Sequence, residues 1–374
     1  MKKKLLVVLA VLMASVMVLA ACSSNTPAPE PAPEPDQGSA AVPEEPAPAE
    51  EAVVYDYYAG DAQSGAEAVL TLTQHDPDES LPGKYCYAWA EAVYSQSEGR
   101  IYVDVNNGGA LAKPTESLDK VKNGAVDLAW GLQSFYPGQF PLTDTLSMPL
   151  VPYTDSVQAS QIMESVYEAG LLAGDTGYEG TKVILIRSGN DAPIITTSKK
   201  LETAADLKGM TLRGSAAPIQ SFLGEFGATG AGCPINELYQ NLQNGQFNGA
   251  ITDWHGVDSF SLFEVAKYYA DEAITYNTYY FLINEAKYNG LSDENKAVID
   301  SLSGTAALDI MLTSWEDMET STKEKIAAAG GEVYTLSAEE HQKLDDAATK
   351  VKDAYVADGG DAVKALYDAI LAAL

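Results

Sequence analysis

Short segments with β-strand composition alternate with segments of helical spacing over most of the chain. The predicted strands are 69–73, 101–105, 126–130, 182–186, 194–197, 210–213, 249–252 and 279–283. The predicted helices are 85–96, 155–172, 217–226 and 235–244, and helical spacing resumes at Ser292 and continues almost to the end. This alternation predicts an α/β fold in which helices cover a largely parallel sheet.

The first 21 residues have the pattern of a bacterial secretory signal peptide. Lys2 to Lys4 precede an apolar run from Leu5 to Ala21. The run ends in Leu-Ala-Ala-Cys, which resembles the lipobox where a peptidase cuts before the cysteine and the new N-terminal cysteine is acylated. We therefore expect removal of residues 1–21 and a lipid anchor on Cys22. An ordinary signal peptide with an incidental cysteine is the alternative.

Residues 23–51 are rich in proline, alanine and glutamate, a composition that cannot bury apolar surface and that favours extended polyproline II. We expect residues 22–51 to be a disordered stalk that carries the lipidated cysteine. The stalk would hold a folded part, formed by residues 52–374, away from the outer face of the cell membrane.

The chain is strongly acidic, with 53 Asp and Glu against 23 Lys and Arg and a formal net charge of −30. Nucleic acid is therefore excluded as a partner, because phosphate binding needs a basic face. An anionic solute would be repelled at long range, so a site for one must be built locally. For Cys86 and Cys233 we expect two buried free thiols in different domains, and pairing in an oxidising compartment is the alternative.

Motifs of catalysis are missing from the sequence. It has no GxSxG, HExxH, GxxxxGK or GxGxxG pattern, and its three histidines do not pair at a ligand spacing. We therefore expect no enzyme activity and no cofactor. Asp253, His255 and Asp258 form the one cluster with metal-ligand residue types, but its spacing fits no known loop, so polar structure or ligand contacts are expected instead of a metal.

Five segments stand in a characteristic order. They are Gly-Arg-Ile-Tyr-Val-Asp-Val with Gly-Gly-Ala-Leu at 99–111, the helix, turn and strand at 121–129, Phe-Pro-Leu and Met-Pro-Leu at 140–150, Asp-Leu-Lys-Gly-Met-Thr-Leu-Arg at 206–213, and the helix and turn at 237–249. Their order and spacing across 69–283 resemble the solute-binding subunits of TRAP transporters, the DctP-type family. The resemblance implies a monomeric receptor that delivers a small organic acid to membrane permease subunits driven by an ion gradient.

The resemblance also implies a clamp of two α/β domains, joined by crossing strands and spanned by a long helix. Domain I would comprise 52–190 plus 278–317, and domain II would comprise 191–277 plus 318–374. A ligand would close such a clamp by a hinge motion.

In this family the arginine that ends the Asp-Leu-x-Gly segment binds the ligand carboxylate, and the match places this role on Arg213. A guanidinium fork suits both carboxylate oxygens, which a lysine does not. A surface arginine that caps a strand is the alternative. Many members that bind acidic sugars or dicarboxylates have a second arginine where this chain has Pro193. A monocarboxylate with an apolar or aromatic remainder is therefore favoured.

Aromatic and polar residues near the predicted strand ends are further candidates, because ligands of open α/β sheets bind beyond the carboxyl ends of strands. The candidate ligand-binding residues besides Arg213 are Trp130, Phe135, Asn236, Asp253, Trp254 and Tyr279. Packing in the interdomain core is the alternative for each aromatic residue. Two other functions stay open, namely a binding lipoprotein of an ATP-driven importer or sensor kinase, and a surface hydrolase.

Overall fold

The structure, a computed structural model, describes residues 62–312 and 315–374. The expected signal peptide, the acylated Cys22 and the stalk therefore lie outside the described residues. Within the described ranges, no helix is both long and apolar enough to cross a membrane.

One mixed sheet of nine strands organises the described part of the chain. The strands are β1 (Ala68–Thr73), β2 (Ile101–Asn106), β3 (Leu128–Leu132), β4 (Thr181–Thr196), β5 (Thr211–Arg213), β6 (Thr229–Ala231), β7 (Gly249–Ile251), β8 (Tyr268–Asn284) and β9 (Glu332–Tyr334). Their order is β2-β1-β3-β8-β4-β7-β5-β6, and β9 pairs with β8.

The sheet has two halves that share its two longest strands. Strands β1, β2 and β3 pair in parallel in one half, here called domain I, and β5, β6 and β7 pair in parallel in the other half, domain II. Strands β4 and β8 run antiparallel to each other through both halves, with Ile186 opposite Tyr280 in domain I and Ile195 opposite Tyr269 in domain II. Their ladder is irregular between Ser188 and Asp191 and again between Ala192 and Ile194.

Helices cover the sheet. They are α1 (Leu81–Gln96), α2 (Ser117–Lys122), α3 (Ser156–Glu168), α4 (Ala217–Glu225), α5 (Ile235–Gln243), α6 (Trp254–Ser259), α7 (Glu285–Asn289), α8 (Asp293–Ser301), α9 (Thr305–Leu312), α10 (Trp315–Ala328) and α11 (Ala338–Ala373). Side-chain caps fix several of their starts, as Ser80, Asp155 and Asp253 each accept a hydrogen bond from the backbone N–H three residues later.

The final helix, α11, packs on both halves of the sheet. Up to Val351 its apolar face joins the core of domain II, and from Tyr355 onward it joins the core of domain I, with a kink at Gly360, whose φ is 69°. The domain II contacts involve Leu344 and Val351, and the domain I contacts involve Val363 and Ile370. The last turns of α11 thus pack against domain I. Helical spacing shows that one face is buried but does not identify the surface that covers it.

The predicted strands differ from the observed ones mainly at the crossing. Segments 182–186 and 194–197 are two parts of the single strand β4, and 279–283 is only the C-terminal part of β8. Polar and glycine residues between the two parts of β4 have the composition of a turn, yet the ladder continues through them with bulges. The sheet is consequently less parallel than expected. The third predicted strand begins at Leu128, not at residue 126, and the three-residue strands β6 and β9 were not predicted.

Candidate ligand-binding site

A small cavity lies between the two halves of the sheet, at the carboxyl ends of β1, β3, β5 and β7. Its lining residues are His75, Asp76 and Leu132 from domain I, Arg213, Ile235, Thr252, His255, Gly256 and Phe260 from domain II, and Asn277 and Tyr279 from β8. The parallel strands of each half end at this level, so the residues that follow them meet across the cavity.

Arg213 is the last residue of β5 and is 1% exposed. Its Nε donates a 3.0 Å hydrogen bond to the carbonyl oxygen of Cys233. Within the described residues, no carboxylate lies within 4.0 Å of its guanidinium. The same side chain also lines an adjoining groove, together with Phe135 and Cys233. A buried cation with no anionic partner is costly, so this guanidinium is suited to pair with an anion that enters the cavity.

Asp253 is buried and supports the cavity from behind its lining. Its Oδ1 caps α6 by accepting from the backbone N–H of Gly256 at 2.9 Å. Its Oδ2 accepts from Asn277 Nδ2 at 3.1 Å and from the Tyr279 hydroxyl at 2.8 Å. Burial alone would raise the pKa of this carboxyl, but the bonds and charge of His255 and the two β8 side chains hold it well below its ordinary value.

Asp76 lies between two histidines and is fully buried. Its Oδ1 is 3.3 Å from Nε2 of His255, and its Oδ2 is 3.6 Å from Nε2 of His75. Burial would lower the pKa of His255, but Asp76 and Asp253 raise it to about 9, so this imidazole is charged at neutral pH. Burial lowers the pKa of His75, with help from the charges of His255 and Arg213, so His75 is neutral. Burial opposes ionisation of Asp76, yet the two histidines lower its pKa.

A second buried arginine stands next to this network. The guanidinium carbon of Arg187, in β4, lies 4.9 Å from the ring centre of Tyr279 and 5.3 Å from that of Trp130. Burial lowers its pKa to about 10, which still leaves it charged at neutral pH. Its charge interacts with Asp76 and Asp253, so it belongs to the electrostatic balance of the cavity although it does not line the cavity.

The structure brings some of the sequence-predicted residues together and separates others. Arg213 and Tyr279 line the cavity, and Phe135 lines the adjoining groove with its ring edge-to-face against His75 at 5.6 Å. Asp253 lies behind the lining, and Asn236 is exposed on α5.

Both candidate tryptophans are fully buried away from the cavity lining. Trp130 packs against Tyr85 and Phe281 in the core of domain I. Trp254 stacks on Tyr269, and its Nε1 donates to Asp191 at 3.3 Å. Both tryptophans therefore occupy core positions, which is the alternative given above for the aromatic candidates.

The cluster with metal-ligand residue types does not converge. Asp258 accepts a 2.6 Å hydrogen bond from Lys325, and the parts of the chain that the structure describes contain no group of three or more His, Cys, Asp or Glu arranged to hold a metal. Cys86 and Cys233 are both free; Cys86 is buried in domain I, whereas Cys233 is only half-buried.

Sequence reasoning missed His75, Asp76, Thr252 and Asn277. His75 and Asp76 follow β1 by two and three residues, and Thr252 follows β7 directly. The strand-end rule that selected Arg213 would have found them had it been applied to every polar residue at such a position.

The sequence and the fold both match known proteins. The family model of bacterial extracellular solute-binding proteins, family 7, named DctP, matches residues 73–358. A solute-binding protein of Chromohalobacter salexigens is 24% identical over 294 residues, which cover 73% of this chain and 85% of that protein.

Solved structures also share the fold, among them the following two. A marine metagenome TRAP solute-binding protein specific for aromatic acid ligands, in complex with 3-hydroxybenzoate, is 28% identical with a TM-score of 0.76 and covers 83% of this chain and 98% of its own. A TRAP solute-binding protein from Rhodoferax ferrireducens in complex with benzoate is 24% identical, also with a TM-score of 0.76, over 82% and 97% of the two chains. The fold is thus the two-domain α/β clamp of these binding proteins, and the chain belongs to the DctP family of bacterial extracellular solute-binding proteins.

Proposed function

We propose that this protein is the solute-binding component of a TRAP transporter and that it holds a small monocarboxylate in the cavity between its domains. Arg213 carries the proposal, because it is a buried cation at the cavity wall with no carboxylate partner among the described residues. The ligand carboxylate would take that place, bonded by the guanidinium fork.

The charges around the cavity favour a single negative charge on the ligand. Three cations, Arg187, Arg213 and His255, face two anions, Asp76 and Asp253, while His75 is neutral. One carboxylate would neutralise this set. A second would leave an uncompensated anion in a buried site, which is strongly unfavourable. Pro193, in place of the second arginine found in many relatives, agrees with this balance.

The remainder of the ligand would be apolar or aromatic. Leu132, Ile235, Phe260 and the ring of Tyr279 line the cavity, and Phe135 lies beside it. The marine metagenome TRAP protein, at 28% identity, is specific for aromatic acids. We therefore place small aromatic monocarboxylates first among the candidate ligands.

Closure and anchoring complete the proposal. Domain I, 52–190 plus 278–317, and domain II, 191–277 plus 318–374, would close about β4 and β8. A ligand shifts this equilibrium only as far as it binds the closed form better than the open one. Acylated Cys22 would keep the protein on the outer face of the cell membrane, close to the permease that receives the ligand.

A thermal-shift screen over neutral solutes, monocarboxylates and dicarboxylates tests the ligand class. Aromatic monocarboxylates should raise the melting temperature, since a ligand at 100 times its Kd stabilises the folded state by about 2.7 kcal/mol. Stabilisation by dicarboxylates alone, or by neutral solutes alone, would contradict the proposal. The family match favours a TRAP permease over an ATP-driven importer as the partner.

A further inference from the structure

The cavity offers a second polar feature that a carboxylate on Arg213 leaves unused, namely the imidazole of His75 beside Asp76. We infer that His75 accepts a hydrogen bond from a hydroxyl group on the ligand, so that the protein selects hydroxy-substituted monocarboxylates over their unsubstituted counterparts. This inference rests on the proposed function and names a specificity-determining residue of the same site.

The first observation is an unsatisfied nitrogen. His75 is 6% exposed and lines the cavity, and its Nδ1 is buried without a hydrogen-bond partner among the described residues. Buried polar atoms in native proteins are nearly always paired, and each one left unpaired is costly. If this position served only to pack the core, we would expect either a histidine with both ring nitrogens hydrogen-bonded or an apolar residue.

The second observation fixes the role of that nitrogen. A neutral imidazole has one donor and one acceptor nitrogen. Nε2 lies 3.6 Å from the ionised Oδ2 of Asp76, which favours the proton on Nε2. Nδ1 is then the acceptor, and it needs a donor from the ligand. Protonated His255, on the other oxygen of Asp76, leaves this preference unchanged.

The third observation is that His75 is held in place. The side chain of Gln74 bridges the turn by donating to the Asp76 carbonyl at 2.7 Å and accepting from the Asp76 N–H at 2.6 Å. The backbone N–H of Gly108 donates to the same carbonyl at 2.8 Å. The edge of the His75 ring also meets Phe135. A pre-positioned acceptor discriminates between ligands with and without a donor better than a mobile one does.

The charges next to His75 disfavour other substituents at this position of the ligand. A second carboxylate would meet the ionised Asp76 and be repelled. An ammonium group would add a charge to a site that one carboxylate already balances. A neutral hydroxyl supplies the required donor with neither penalty.

Calorimetric titration with paired ligands tests the inference. The ligands are benzoate, its 2-, 3- and 4-hydroxy derivatives and the matching fluoro derivatives, which resemble the hydroxy compounds in size but donate no hydrogen bond. For the unaltered protein, at least one hydroxy isomer should bind about tenfold more tightly than its fluoro analogue. In His75→Phe that ratio should fall to about one, with benzoate still bound. His341→Phe, at a half-exposed histidine that pairs with the buried Glu272 outside the cavity, is the matched control and should keep the ratio.

Equal affinity of every hydroxy and fluoro pair in the unaltered protein would overturn the inference while leaving the proposed function standing, and this comparison needs no variant to fold. A ratio unchanged by His75→Phe would also overturn it. Failure of the unaltered protein to bind any of these acids would remove both the proposed aromatic ligand class and the inference built on it.

Discussion

The hydroxyl of Tyr279, on the crossing strand β8, donates a 2.8 Å hydrogen bond to Asp253, the residue that caps α6 in domain II. One end of this bond belongs to the strand shared by both domains, and the other belongs to the domain II residue that supports the cavity from behind its lining. The bond therefore links the position of the crossing strand β8 to the position of Asp253 beside the ligand cavity.

Gly189, in the irregular part of β4, makes room for this bond. A Cβ at this position would lie 2.7 Å from Asp253 Oδ2 and 3.0 Å from the Tyr279 ring. Gly189→Ala should therefore destabilise the protein by about 1–3 kcal/mol, the usual cost of overpacking, and weaken ligand binding. Gly224→Ala is the matched control, because a Cβ at this position in α4 would have no atom within 4 Å. Chemical denaturation should find the control as stable as the unaltered protein or more so. Equal stability of the two variants would contradict the assigned contact.

Arg213 should dominate ligand affinity. Arg213→Ala removes a fork of charged hydrogen bonds and leaves the bound carboxylate without a partner, so calorimetric titration should show binding weakened by at least about 100-fold. Arg213→Lys should stay clearly impaired, since it restores charge without the fork. Arg100→Ala, at an arginine that donates to Asn295 outside the cavity, should bind normally. Unaltered affinity in a folded Arg213→Ala would move the carboxylate site elsewhere, with Arg187 as the next candidate.

The charged state of His255 should make stability depend on pH. Its pKa in the folded protein is about 9, above the ordinary value of 6.5. Its contribution is therefore fully present below about pH 6.5 and is lost as the pH rises through 9, on the order of 3 kcal/mol in total. Urea denaturation between pH 6 and 10 should show this loss. His255→Gln should flatten the profile, whereas His341→Gln should keep it; a flat profile in the unaltered protein would show that His255 is not charged.

The proposed clamp should become more compact on binding. Small-angle scattering should give a smaller radius of gyration with a saturating ligand than without one, because the domains approach each other on closure. Arg213→Ala at the same ligand concentration should keep the larger radius. An unchanged radius in the presence of demonstrated binding would argue against a hinge.

Anchoring is testable independently of the ligand. Cys22→Ala should abolish acylation and shift the protein from the detergent phase to the aqueous phase in a partition assay. Cys233→Ala, which leaves the Leu-Ala-Ala-Cys string intact, should partition like the unaltered protein. Detergent partitioning that persists in Cys22→Ala would exclude this cysteine as the anchor.

The sequence alone predicted the elements that depend on local patterns. Alternating composition predicts β1 and β2. The Asp-Leu-Lys-Gly-Met-Thr-Leu-Arg segment at 206–213 predicts the position of Arg213 at the end of β5. Trp130 and Tyr279 show the limit of such patterns. Both are aromatic residues on neighbouring strands of domain I, so local composition does not distinguish their roles. Only the tertiary structure shows that Tyr279 faces the cavity while Trp130 packs in the core.

Local patterns did not predict the full length of the crossing strands β4 and β8, for another reason. Residues such as Gly189 and Pro193 have low strand propensity, and their place in β4 depends on pairing with β8, about 85 residues further along the chain. The positions of His75 and Asp76 after β1 were visible in the sequence, but the contact of Asp76 with His255 in the other domain was not. Long-range contacts of this kind leave no periodic signal in the sequence.

The pairing of β4 with β8 through the crossing also limits how the two domains can move. Adjacent hydrogen-bonded strands bend at their bulges with little loss of bonding, but sliding one along the other would break the ladder and turn side chains to the wrong face. The proposed movement of one domain relative to the other would thus be mainly a rotation about the bulges. If the proposed clamp closes on a ligand, the size of that ligand would set the angle between the domains, and a permease in contact with both domains would respond to that angle without touching the ligand.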